Sequence, residues 1–152
     1  METSMVRIVS LSLVVALGVV SAAALAAGDP TTTRQTVMKS VGASAKIVGG
    51  TLKGERAYDA DATMLALATM RAAAHTFGDY FPDSAGPGDN TEASPKIWED
   101  RTGFMNKLSD FQSATDAAVA AKPADLDAFK AAAGPVMQNC KSCHEGYRIM
   151  KK

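Results

Sequence analysis

The sequence predicts an all-α protein, an antiparallel four-helix bundle, from three observations. Alanine, a strong helix former, is abundant, whereas aromatic residues make up only 6% of the chain. Apolar side chains recur at spacings of three and four along four stretches, and no stretch alternates as a strand would. Three connections rich in glycine, proline or polar residues separate those stretches, which favours antiparallel neighbours.

The first 26 residues predict a cleaved signal peptide. Arg7 supplies a positive charge, residues 8–27 carry none, and Ala24-Leu25-Ala26 fits a small-x-small cleavage site. An uncleaved anchor is the alternative, because about 20 uncharged residues can span a bilayer. Serine and glycine interruptions favour cleavage. We therefore expect one mature domain over residues 27–152, with no membrane attachment once the signal is removed.

The first two helices carry recognisable start and stop signals. Asp29-Pro30 combines a favourable N-cap with a favourable first helical residue, and Gly49-Gly50 is expected to end or fray the first helix. Asp59 or Asp61 caps the second helix, which closes at Gly78. The apolar positions of the two helices are Met38, Val41, Ala45, Val48, Leu52, and Met64, Leu67, Met70, Ala74, Phe77.

The last two helices follow one long polar loop over residues 81–91. Ser94-Pro95 repeats the cap-then-proline signature and is expected to open the third helix, which Lys122-Pro123 ends. Asp125 caps the fourth. The fourth helix has apolar positions that run directly into two cysteines: Leu126, Phe129, Ala133, Val136, Cys140, Cys143 and Tyr147.

Cys140-Lys141-Ser142-Cys143-His144 predicts covalent attachment of one haem c. Helical positions three and four apart share a face, so both thiols can bond the vinyl groups along one edge of a porphyrin. His144 follows at once and can turn a ring nitrogen onto the iron. Cys140 and Cys143 are thus the predicted attachment residues, and His144 is the predicted proximal ligand.

Two cysteines at this spacing could also serve one of three other purposes. A thioredoxin-like redox pair requires a preceding strand and a βαβ setting, neither of which the pattern shows. Zinc requires four ligands, commonly from two such pairs, whereas this chain has two cysteines and two histidines, with His75 far away in sequence. A Cys140–Cys143 disulfide remains open, although so short a loop restrains little of the unfolded chain.

Charge excludes some partners. The chain has 16 basic and 16 acidic side chains, which leaves no net field to attract nucleic acid or a membrane surface. A haem site behind an export signal indicates the bacterial periplasm.

The haem motif on the last helix of a four-helix bundle resembles the cytochrome c′ family. The resemblance continues through Glu145-Gly146-Tyr147-Arg148, similar to the family's aromatic-basic ending. Residues 34–42 resemble the first helix of the low-spin branch, the cytochrome c-556 type. Residues 81–84 and 94–98 also resemble the sequence of that branch. The resemblance covers essentially the whole mature chain, and the haem motif is its specific element.

This resemblance implies a role for Met38. In the low-spin branch the methionine at this position is the sixth iron ligand, whereas the equivalent apolar residue of the high-spin branch does not bind iron. Without the resemblance, a methionine on an apolar stripe is more often core. The resemblance thus implies Met38 as the distal ligand.

Two arginines are candidate contacts for the haem propionates. Arg34 lies four residues before Met38, and Arg148 lies four after His144, so a helix would place each beside its ligand. The alternative for both is an exposed arginine, which the helix dipole favours for Arg148 in a last turn.

These observations predict a periplasmic carrier of single electrons between redox partner proteins, with no catalysis on a substrate. The first alternative is a high-spin protein that binds nitric oxide or carbon monoxide, in which Met38 only packs. The second is a haem-free bundle with the disulfide. Relatives in the family are often dimers, so a homodimer is a further expectation.

Overall fold

The predicted four-helix bundle is confirmed. The computed structural model describes residues 29–149, so the predicted signal peptide and the domain boundary at residue 27 lie outside the described residues. The helices are α1 (Pro30–Leu52), α2 (Ala60–Thr76), α3 (Lys96–Glu99), α4 (Arg101–Ala121) and α5 (Leu126–Tyr147). A 3₁₀ turn, Phe77–Tyr80, extends α2. The four long helices form the bundle, and α3 is a single turn in front of α4.

Side-chain contacts show the antiparallel order. The Gln112 amide of α4 donates to the Ala74 carbonyl near the end of α2, while Asp116, further along α4, pairs with Arg71, earlier on α2. The start of α4 likewise meets the end of α5, where the Phe104 and Tyr147 rings lie 5.6 Å apart. Helices α1 and α2, α2 and α4, and α4 and α5 pack along much of their length, whereas α1 and α5 touch more briefly.

Aspartate caps begin the helices as the sequence indicates. Asp29 accepts hydrogen bonds from the Thr31 and Thr32 amides, and Asp125 accepts one from Ala128. Asp59, rather than Asp61, caps α2. Each such cap satisfies amides that have no partner within the helix, and its loss costs about 0.5–2 kcal/mol.

The expected end of α1 at Gly49-Gly50 is wrong by two residues. The helix continues to Leu52 because the last turn is anchored in the core: Val48 and Thr51 are completely buried. The Thr51 hydroxyl also donates to the Ile47 carbonyl within the helix. Burial of this turn outweighs the weak helix propensity of two glycines, each about 1 kcal/mol less favourable than alanine.

A helix starts directly after Ser94-Pro95, as expected, but it does not run through as one third helix. It is broken at Asp100, whose backbone leaves the helical region at φ −124° and ψ 61°. The Asp100 carboxylate caps α4 by accepting the Gly103 amide at 3.0 Å and also accepts the Tyr147 hydroxyl at 2.7 Å. The second of these contacts comes from 47 residues away, so no local pattern could indicate it.

Two apolar clusters fill the bundle. The larger one occupies the centre and includes Leu67, Met70 and Phe129, all completely buried. The smaller cluster, of Phe81, Ile97, Phe104 and Tyr147, occupies one end. Each large apolar side chain so buried contributes about 1.5–3 kcal/mol. No helix within residues 29–149 has the length and apolar character needed to cross a bilayer.

Candidate haem-binding site

A cavity of about 560 Å³ lies beside the smaller apolar cluster. Its size falls within the range of roughly 300–1,000 Å³ that is usual for cofactor sites. The walls are largely apolar and come from α1, the 3₁₀ turn, α3, α4, α5 and residues 90–93. All six candidate residues line it: Arg34, Met38, Cys140, Cys143, His144 and Arg148. Residues more than a hundred positions apart thus converge on one cavity.

The end of α5 places the haem motif along one wall. Cys140 and Cys143 are free thiols and half-buried, and burial raises the pKa of both, so they are protonated at neutral pH. Burial lowers the pKa of His144, an effect to which neighbouring Arg148 adds and which Glu92 opposes. A neutral imidazole is the form that binds iron.

Met38 reaches the same cavity from α1. It is half-buried and also packs against the edge of the central core. Among the methionines of residues 29–149, Met38 alone lines the cavity; Met64, Met70, Met105 and Met137 lie elsewhere. Two facing helices therefore present an imidazole and a thioether to a shared space, the geometry by which bundles hold cofactors.

Arg34 is buried rather than exposed. Only 4% of its surface is accessible, and its guanidinium donates to the carbonyls of Tyr80 and Pro87 and to the Thr31 hydroxyl. Its Nε has no hydrogen-bond partner within the described part of the chain. An unsatisfied buried donor on a cavity wall is a position where an anionic group of a ligand fits.

Arg148 does not share a helical face with His144, contrary to the sequence expectation. The helix ends at Tyr147, and Arg148 is extended at φ −119° and ψ 134°. Its guanidinium grips the Glu92 carboxylate through Nε and Nη2 at 2.7 and 2.5 Å. The backbone also bridges: Ser94 N–H donates to the Tyr147 carbonyl, and Ile149 N–H donates to the Glu92 carbonyl.

Several residues of the site escaped the sequence analysis. Glu92 and Lys107 line the cavity without belonging to any motif. Asp100 accepts a hydrogen bond from Tyr147 and so fixes that side chain on the cavity wall. Asp100 is a favoured N-cap residue type, and this signal could have indicated the start of α4. No local signal marks the other two, because long-range packing brings them to the site.

The donor set fits a covalent haem better than the alternatives. Two thiols, one imidazole and one thioether surround an apolar cavity with an unsatisfied cationic donor. No group of three or more zinc-type ligands occurs within the described residues, and the two cysteines form no disulfide there. His75 lies at the end of α2, outside the cavity, and bonds Asp116.

Comparison with known proteins agrees with the assignment of a covalent haem. A family model described as Cytochrome C' matches residues 29–148. The chain is 36% identical to cytochrome c-556 of Rhodopseudomonas palustris over 137 residues, 88% of this chain and 91% of that protein. It is 33% identical to cytochrome c' of the same organism over 145 residues, 95% of this chain and 97% of the relative.

The fold is also similar to solved structures over most of the chain. The solved structure of R. palustris cytochrome c' superposes with a TM-score of 0.75 at 32% identity, covering 82% of this chain and 98% of that one. The family's cofactor is a covalent haem c, one per chain, which the cavity accommodates. The chain therefore belongs to the cytochrome c′ family and is a haem c cytochrome.

Proposed function

We propose that this protein is a low-spin carrier of single electrons. In this proposal Cys140 and Cys143 hold the haem by thioether bonds, His144 is the proximal ligand and Met38 is the distal ligand. The observation that carries the proposal is the placement of Met38, alone among the described methionines, on the cavity wall contributed by α1. When bound, the haem would supply one-electron redox chemistry, and ligation by both His144 and Met38 would limit rearrangement on electron transfer.

The thiols and the imidazole are suited to these roles. Each protonated thiol can add across one vinyl group. The sulfur bonds to one vinyl carbon and the proton passes to the other, so the addition has no leaving group and needs no oxidant. Spacing on α5 puts both sulfurs on the cavity wall. The partly buried, neutral His144 then offers a ring nitrogen from the same wall.

Arg34 is the stronger candidate for a propionate contact. It lines the cavity with one unpartnered N–H, so a carboxylate would complete its hydrogen bonds. Arg148 also lines the cavity, but its guanidinium is already paired with Glu92. A contact from Arg148 would therefore be shared with that carboxylate.

The wider biology follows from the family and the N-terminus. We propose export to the periplasm after cleavage within residues 1–26, and exchange of electrons with redox partner proteins there. No catalysis on a substrate is included, since both axial positions are assigned to protein ligands. Homodimer formation is proposed as well. Near-neutral net charge predicts that global steering of partners is weak.

A gas-binding function is the second candidate, and one observation favours it. Met38 packs against the central core, as an apolar side chain without a ligating role would. The similarity to cytochrome c' is also nearly as close as that to cytochrome c-556. In this case the distal position would be open to nitric oxide or carbon monoxide.

Substitution of Met38 separates the two functions. We expect a low-spin absorption spectrum for the purified, haem-loaded protein in both oxidation states. The Met38→Ala variant should turn high-spin and should bind carbon monoxide at least about tenfold more tightly, because no internal ligand then competes for the iron. Met64→Ala, at a methionine outside the cavity, is the control. A high-spin wild type that Met38→Ala leaves unchanged would overturn ligation and favour gas binding.

A further inference from the structure

Arg34 is the one charged side chain that is buried within residues 29–149. It donates to the Tyr80 carbonyl at 3.1 Å and to the Pro87 carbonyl at 2.9 Å, across 46 and 53 residues of sequence. A third bond, also 2.9 Å, goes to the Thr31 hydroxyl one turn earlier on α1. The guanidinium thus ties the start of α1 to two points of the segment that follows α2.

Aromatic rings complete the enclosure of this cation. The guanidinium carbon lies 4.9 Å from the centre of the Phe81 ring and 5.6 Å from that of Trp98. The Trp98 indole N–H donates to the Pro82 carbonyl at 3.1 Å, which fixes the ring. No buried carboxylate accompanies Arg34 within the described residues. Ring faces and carbonyl oxygens therefore stabilise the charge, together with the exposed carboxylate of Asp29 nearby.

The loop approaches α1 so closely that a side chain would not fit. Gly88 has φ +77°, and a Cβ there would lie 2.7 Å from the Thr31 hydroxyl and 3.7 Å from Nη2 of Arg34. One residue further along α1, the Gln35 amide donates to the Asn90 carbonyl at 2.8 Å. The first turns of α1 are thus held against residues 80–90. We use the name Arg34 clamp for the contacts that Arg34, Thr31, Gln35 and Trp98 make with one another and with residues 80–90.

Met38 lies one helical turn after Arg34, on the same face of α1. Its unbranched side chain has three rotatable bonds and holds no fixed position by itself. Packing between α1 and α5, the two helices that carry the proposed axial ligands, is also brief. The position of the Met38 sulfur therefore depends on what holds α1 at this level.

We propose that Arg34 is a positioning residue for Met38: the Arg34 clamp holds α1 against residues 80–90 and so keeps the thioether at bonding distance from the iron. This rests on the proposed ligation by Met38 and goes beyond a propionate contact. A propionate contact depends on Arg34 alone. The clamp also depends on Thr31 and Trp98, which do not line the cavity.

That difference defines the experiment. Thr31→Val removes one acceptor, and Trp98→Leu removes one ring, without changing charge or any cavity-lining side chain. In haem-loaded protein, we expect each to speed displacement of Met38 by added imidazole about tenfold, the order expected for losing one hydrogen bond to a charged group or one contact between a buried cation and an aromatic ring. Arg34→Lys should act in the same direction, because an ammonium cannot reproduce the fork of the guanidinium.

Thr36→Val is the matched control. Thr36 is an exposed threonine of the same helix, and its hydroxyl bonds only to the Thr32 carbonyl. Helical circular dichroism confirms the fold of each variant, and Thr31→Val provides the test if Trp98→Leu fails to fold. Displacement of Met38 is measured as loss of the long-wavelength charge-transfer band between the methionine sulfur and ferric iron.

The outcomes separate the two proposals. If Thr31→Val and Trp98→Leu release Met38 no faster than Thr36→Val does, the clamp has no positioning role, while ligation by Met38 stands. If the wild type lacks the methionine band and Met38→Ala changes nothing, ligation itself is wrong, and the inference is overturned with it. Faster release in both clamp variants, with ligation intact in the wild type, supports positioning.

Discussion

Tyr147 shows how one side chain joins the haem helix to the rest of the site. Its ring lines the cavity and packs on Phe104, while its hydroxyl donates to Asp100 at 2.7 Å. Burial and this hydrogen bond raise the pKa of Tyr147 to about 12. The same bond lowers the pKa of the Asp100 carboxyl below its usual range. Both effects favour the neutral phenol paired with the carboxylate.

This pair predicts a loss of stability at high pH. A group whose pKa is higher in the folded state stabilises the fold below its unfolded value and ceases to do so as pH rises through the folded value. For Tyr147 that window runs from 10 to about 12. We expect the free energy of unfolding in urea to fall across it.

Tyr147→Phe should be less stable at neutral pH by about 0.5–1.5 kcal/mol, the usual contribution of one hydrogen bond. The stability of this variant should also fall less steeply between pH 10 and about 12, because phenylalanine has no hydroxyl to ionise. Phenolate absorbance of the folded wild type provides an independent check. Equal pH dependence in both proteins would contradict the assignment.

At the scale of elements, the break between α3 and α4 positions the site. Asp100 interrupts the helix, caps α4 and receives Tyr147 from the end of α5. Gly103 lies in the first turn of α4, where a Cβ would overlap the Asp100 carboxylate and the Tyr147 hydroxyl. Glycine is therefore required there by a close approach of two elements and not by its φ angle.

We expect Gly103→Ala to destabilise the protein although alanine is the better helix former. Overlap with the two oxygens should cost about 1–3 kcal/mol, more than the roughly 1 kcal/mol gained in helix propensity. Gly134→Ala is the matched control, because a Cβ at Gly134 in α5 meets nothing within 4 Å. Urea unfolding should show a loss for the first variant and a small gain for the second. A gain at Gly103 would refute the close approach.

On the scale of the whole molecule, the site lies between two apolar clusters. The central cluster contains fully buried Leu67 and Phe129, and the smaller cluster lies at the end of the bundle beside the 560 Å³ cavity. A haem bound in this cavity would pack against apolar side chains, and close packing stabilises a bundle interior. We therefore expect cofactor binding and stability to be linked.

Removal of both thiols tests this link. We expect Cys140→Ser with Cys143→Ser to yield protein without the fixed mass of a covalent haem in denaturing mass spectrometry. The same variant should unfold at a lower temperature, with a stability loss of several kcal/mol, since a ligand that binds only the folded state stabilises it. Thr33→Ser, at a side chain that does not line the cavity, is a mild control. An unchanged melting temperature would show that the bundle does not depend on its cofactor.

Much of the fold was predictable because its signals are local. Three- and four-residue spacing places the long helices, and Asp29 and Asp125 mark two of their starts. The helix end at Gly49-Gly50 and the continuity of the third helix beyond Asp100 were predicted wrongly, because burial of Thr51 and the contact of Asp100 with Tyr147 overrode local propensity. Tertiary contacts of that kind have no sequence period.

For the site, the sequence by itself determined the motif on α5 and, through family resemblance, the candidate Met38. Only the tertiary structure decided that Arg34 is buried in a clamp, that Arg148 leaves the helix to pair with Glu92, and that all six candidate residues line one cavity. The physical reason is range. Spacing fixes which residues share a helix face, whereas the burial and pairing of a charge depend on residues about 50 positions away that packing brings to it.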